Sequence, residues 1–116
     1  NGISKIAITA STIDGGYSLT ITAGAAQSLT SAIGSSTALT SINVSTTSGN
    51  LTLGDDIAVT STGTNAMIFN AGSSTAAGTS TGGNIIISNS PTFTTGSGGR
   101  MTYYTGSISG STGLTS

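Results

Sequence analysis

The feature that most limits what this chain can become is a pair of apolar residues two apart, recurring in a β-branched background: Ile6/Ile8, Leu19/Ile21, Ile42/Val44, Leu51/Leu53, Ile57/Val59, Met67/Phe69, Ile85/Ile87 and Met101/Tyr103. A spacing of two puts both side chains on one face of a β-strand, and Thr, Val and Ile favour that backbone. Each pair is short, so each strand buries only two side chains. Apolar residues recur at helical spacing only in the Ala-rich stretch 23–33, which is the one helix candidate.

Three pairs share a lead-in of glycine and a turn-type residue: "GGYSLTI" (15–21), "SGNLTL" (48–53) and "GGNIII" (82–87). Their first apolar residues, Leu19, Leu51 and Ile85, stand 32 and then 34 residues apart. A period of that size marks stacked-repeat architecture, and repeats of short strands with glycine corners point to an all-β fold, a β-solenoid. The chain then reads as one solenoid segment over 1–116, with repeat-like units starting near 15, 48 and 82. Pro91 follows the Ile85 strand, where it can turn a corner without removing a needed donor.

Composition agrees with stacking. Charged residues are 4% of the chain, against about a quarter in ordinary globular domains. Equivalent residues of in-register parallel strands lie above one another, where like charges repel and Ser, Thr and Asn can form hydrogen-bonded ladders. The 34% of hydrophobic residues opposes a disordered chain, but 116 residues bury only a modest core alone. Contacts between stacked coils should depend little on salt.

The same inventory excludes whole function classes. The net charge is −1 and the cations are Lys5 and Arg100, so no basic surface exists for nucleic acid or for an anionic membrane. Without Cys or His there is no disulfide, no thiolate and no imidazole ligand or base, and no cofactor or metal is expected. No apolar run reaches the length of a membrane span. The chain opens at Asn1 without an initiator Met or a signal segment, which reads as a processed or excised chain.

Five features of the sequence are candidate sites. Asp55 and Asp56 follow Gly54, and Asp14 is the third carboxylate. Glycoside hydrolysis needs two carboxylates flanking the bond, and calcium needs about six to eight oxygens; adjacent strand residues point to opposite faces. Asp55-Asp56 therefore reads as a solvated corner. Lyase chemistry would need a base near an acidic cluster, and Lys5 and Arg100 lie at opposite ends of the chain, so no enzyme activity is expected and no catalytic residue is assigned. The steps Thr20/Thr22, Thr60/Thr62, Thr62/Thr64 and Thr92/Thr94 resemble ice-binding arrays but sit at unequal offsets. "GSGGR" (96–100) lacks the Lys and helix of a phosphate loop and reads as a corner. Of Tyr103-Tyr104, one is a core residue by alternation, which leaves Tyr104 as the candidate ligand contact, for a glycan stacked on its ring.

The stretch "SLTITAGAAQSLTSAIGSSTALTSINVSTTSGNLTLGDDIAVTSTGT" (18–64) resembles the degenerate repeat of the filamentous-haemagglutinin-like large bacterial exoproteins and adhesins, and "GGRMTYYTGSISGSTGLTS" (98–116) resembles the segment that often closes such arrays. The resemblance implies a right-handed parallel β-helix, secretion, a bacterial cell-surface location and a structural or adhesive role. Its implied partners are copies of the chain itself or adjacent repeats of a longer rod, and host or matrix glycans or proteins.

Overall fold

The computed structural model describes residues 13–114; the Ile6/Ile8 pair and Lys5 lie outside the described residues. The described chain forms β1 (Leu19–Ala23), β2 (Gln27–Leu29), β3 (Ile42–Thr46), β4 (Leu51–Leu53), β5 (Ile57–Ala58), β6 (Met67–Asn70), β7 (Ile85–Ile87), β8 (Phe93–Thr94) and β9 (Met101–Tyr104). Each strand includes at least one residue of an apolar pair except β2, which carries Gln27 and Leu29, and β8, which carries Phe93. None of the described residues is helical, and among them no helix is long and apolar enough to cross a membrane.

The helix expected over 23–33 is therefore corrected. Ala23 closes β1, and Gln27–Leu29 is β2, with Gln27 and Leu29 buried on either side of exposed Ser28. Gly24 and Gly34 bracket the stretch and weaken a helix there. Parallel pairing of β2 with β4, and of Ile33 with both Ile13 and Ile57, offers its backbone and its apolar side chains partners that an isolated helix would lack.

All strand pairs are parallel and fall into three sheets, ordered β1-β3-β6-β9, β2-β4-β7 and β5-β8. The chain visits the sheets in the same cyclic order on each circuit: β1, β2 and Ile33; β3, β4 and β5; β6, β7 and β8; then β9 and Thr112, which bridges to Ile86. Of the two spacings between lead-ins, the longer one is a ladder step, since Leu51 pairs with Ile85. Leu19 pairs instead with Ile42 in another sheet.

Register stacks the apolar pairs into columns. Ile21, Val44, Phe69 and Tyr103 form one column, Leu29, Leu53 and Ile87 a second, and Ile13, Ile33, Ile57 and Phe93 a third. The columns meet in one hydrophobic cluster. Complete burial of an aliphatic or aromatic side chain contributes about 1.5–3 kcal/mol, so a circuit that buries a handful depends on its neighbours for the rest of its stability.

The backbone repeats one hydrogen-bond pattern. The N–H of each leading column residue donates to the carbonyl of the residue just before its partner: Leu19 to Ser41, Ile42 to Ala66, Met67 to Arg100, Gln27 to Asn50, Leu51 to Asn84, Ile33 to Asp56 and Ile57 to Thr92, at 2.9–3.2 Å. Corners need backbone that strands cannot supply. Gly49, with φ at 87°, turns the chain into β4, and its α-carbon packs so near Ala26 that an added Cβ would lie 2.5 Å from the Ala26 nitrogen.

Candidate functional site

The adjacent aspartates Asp55 and Asp56 are held as corner groups. Asp55 Oδ1 accepts the Asp56 N–H at 2.8 Å, and Asp56 Oδ1 accepts the Thr92 N–H at 2.7 Å. Asp56 and Thr92 stand immediately before the paired residues Ile57 and Phe93, so the carboxylate ties one circuit to the next. Asp14 Oδ1 likewise accepts the Ser36 and Thr37 N–H groups at 2.8 and 3.1 Å. Among the described residues no three His, Cys, Asp or Glu side chains gather as a metal cluster.

A second corner repeats the device with an amide. Asn50 Oδ1 accepts the Asn84 N–H at 3.0 Å, and each asparagine directly precedes the strand residue, Leu51 or Ile85, that pairs with its counterpart. Asn84 is buried; its Nδ2 donates to the Ser80 carbonyl at 2.7 Å, while its Oδ1 has no hydrogen-bond partner. Inside the same edge, Thr46 Oγ1 donates to the Gly49 carbonyl and accepts the Gly72 N–H, both at 2.8 Å. These interstrand acceptors were not identified from the sequence, although the shared Gly-Asn lead-in of "SGNLTL" and "GGNIII" was the signal for one of them.

The Thr steps do not stack as a uniform array. In register, the outward columns of the first sheet are Thr20, Asn43, Ile68, Thr102 and Thr22, Ser45, Asn70, Tyr104. A flat Thr lattice is absent from this face.

The carboxyl-terminal end of the ladders exposes what the interior buries. Met67 is fully buried, whereas its column partner Met101 is 36% exposed. Ile87, Phe93, Tyr103 and Leu114 are only partly buried and pack against the core from this end. They border a hollow of about 480 Å³, whose polar rim includes Asn89 and Ser90, two non-glycine residues with φ at 63° and 52°. The Tyr103 ring stacks on Phe69 with centroids 5.7 Å apart, and burial raises the Tyr103 pKa above its ordinary value of 10.0.

Tyr104, the candidate ligand contact, is 54% exposed. It borders an open hollow of about 520 Å³ with Tyr103, Thr105, Ile108 and Leu114. The structure thus brings Tyr104 beside Tyr103 at one end of the sheet and leaves Asp55-Asp56 at a separate corner. Comparison with family models, with curated proteins and with solved structures finds no match for this chain.

Proposed function

We propose that this chain is a right-handed β-solenoid segment with a structural, rod-forming role and no catalysis, from a secreted bacterial surface protein of the filamentous-haemagglutinin-like kind, acting outside the cell. The observation that carries the reading is the cyclic order: parallel strands return to the same three sheets circuit after circuit, in register, around one apolar core. Such a stack extends along one axis by adding circuits, each set by the one before it. A rod is what that growth produces, and the neutral Ser, Thr and Asn exterior suits a surface that must stack without repulsion.

Electron diffraction or high-resolution microscopy of aligned material tests the reading. The expected result is an axial repeat near 4.8 Å on a narrow, unbranched body. Strands running along the long axis rather than across it would refute it.

Adhesion through Tyr104 is a second reading, supported by its exposed ring beside an apolar hollow. A titration of the chain against arrays of neutral glycans, followed by Tyr fluorescence, checks it: binding should be lost in Tyr104→Ala and kept in Tyr17→Ala. Equal binding by both variants would remove Tyr104 from the account.

A further inference from the structure

Backbone polarity at the two edges of the first sheet identifies what fits them. Just before β9, Arg100 donates its N–H to the Gly63 carbonyl and its carbonyl accepts the Met67 N–H, while at the end of β9 the Tyr104 carbonyl accepts the Ala71 N–H. Arg100 and Tyr104 thus direct their backbone groups toward β6, and by strand alternation Met101 and Tyr103 direct theirs to the opposite edge, which pairs with no other described strand. On β1, Leu19 donates to the Ser41 carbonyl and the Ala23 carbonyl accepts the Thr47 N–H, both toward β3. Ser18, Thr20 and Thr22 therefore turn their carbonyls to the other edge. Among the described residues, β1 and β9 are the terminal strands of this sheet.

We propose that β9 takes β1 of a second copy of the chain as its next strand, parallel and in the existing register, so that copies add head to tail. Leu19 of the incoming copy lies on Met101 and Ile21 on Tyr103, extending the two apolar columns. The Met101 N–H donates to the incoming Ser18 carbonyl, the same bond that Leu19, Ile42 and Met67 make within the chain. This inference rests on the solenoid reading and specifies the partner at its end.

Two observations select a second copy. The outer edge of β9 requires a strand with apolar residues at alternate positions and outward-turned carbonyls between them, and β1 presents that pattern with the matching polarity. The interface would continue the β6–β9 ladder rather than create a new kind of contact. Union of one end with the other is heterologous and does not close on itself, so the product is a growing stack.

Cysteine trapping tests the register, and the absence of native cysteine keeps it clean. Thr20→Cys and Thr102→Cys are made as separate variants, since these outward-facing residues would lie directly opposite each other. Paired α-carbons in adjacent strands fall in the roughly 4.4–6.8 Å window that a disulfide spans. The expected result on oxidation is a covalent dimer from the mixture, increasing with concentration, and little dimer from either variant alone. The mixture of Thr22→Cys with Thr102→Cys should give about tenfold less, because that offset separates the α-carbons beyond the window. Adding Met101→Lys to the Thr102→Cys chain, which places a charge on the open edge, should suppress the dimer.

Dimer from Thr102→Cys alone would replace head-to-tail addition with an edge-to-edge pair and overturn the proposal. So would a wild-type chain that sediments as a monomer at every concentration while its β9 amides resist hydrogen exchange, since its own chain would then cover the edge. Hydrogen exchange separates this failure from failure of the solenoid reading. If amides of β3 and β6 resist exchange in a non-associating chain, only the self-addition falls; if they exchange freely, the ladders and the proposal fall together.

Discussion

Replacing Phe69 with Ala tests the core where the structure makes it deepest. Phe69 is fully buried in the column between Val44 and Tyr103, and its ring meets Tyr103 at 5.7 Å and Phe93 at 5.9 Å between centroids. Removing a buried Phe side chain costs about 3–5 kcal/mol, and each aromatic contact adds roughly 0.5–1.5 kcal/mol beyond area. The expected loss is about 4–5 kcal/mol, a large share of the roughly 5–15 kcal/mol that stabilises a domain. Tyr103→Ala, at the half-buried end of the same column, should cost about half as much by the same scale. Urea unfolding followed by circular dichroism measures both. Because stacked circuits contact only their neighbours, hydrogen exchange should show Phe69→Ala exposing β6 and its neighbours β3 and β9 before β1. A loss below about 1 kcal/mol, or equal losses for Phe69→Ala and Tyr103→Ala, would refute the column and the burial gradient along it.

The corners and the end yield three further expectations. Asp56→Ala removes the acceptor for the Thr92 N–H and should cost about 1 kcal/mol, the scale of an intramolecular hydrogen bond at an exposed site, whereas Asp56→Asn keeps an oxygen and should lose less; chemical denaturation distinguishes them, and no loss in Asp56→Ala would mean that the bond contributes nothing. Gly49→Ala forces a left-handed backbone on an L-residue and drives its Cβ into Ala26, so a loss of about 2 kcal/mol or more is expected, measurable as a fall in thermal midpoint. Tyr103 is held neutral by burial, with its folded pKa above the unfolded 10.0; its contribution to stability is complete below pH 10.0 and is lost as pH rises through the folded pKa, because the unfolded chain ionises first. Unfolding as a function of pH between neutrality and strong alkali should show that decline, and Tyr103→Phe should remove it.

Strand positions were legible because two-residue periodicity depends on neighbours in sequence alone. Ile42/Val44, Leu51/Leu53 and Met67/Phe69 each became buried pairs within a strand. Register was less legible, because it depends on which strands meet. Leu19 and Leu51 share a lead-in, yet Leu19 pairs with Ile42, and the intervening turns vary in length, so no single period describes every step. The helix expected over 23–33 failed for a related reason: alanine spacing records a local preference, while Gln27, Leu29 and Ile33 answer to partners in the following circuit. Tyr104 was found by alternation, as the outward neighbour of a core aromatic. The hollow beside it was not, because Ile108 and Leu114 come from a segment without strand periodicity.

The corner acceptors join these threads. A parallel stack has no hairpin turns to fix its register, so a one-residue slip must be opposed by side chains or by the corners themselves. Asn50 on Asn84 and Asp56 on Thr92 act at the residue just before a strand begins, where a slip would displace the bonded N–H and break the contact. An acidic group can serve at such a site only where the next circuit does not repeat it, since aligned carboxylates repel. Thr92 follows Asp56 in its column, while the neutral asparagine can recur at 50 and 84. The chain's low charge thus suits stacking, and Asp14 and Asp56 stand where the next circuit presents a backbone donor.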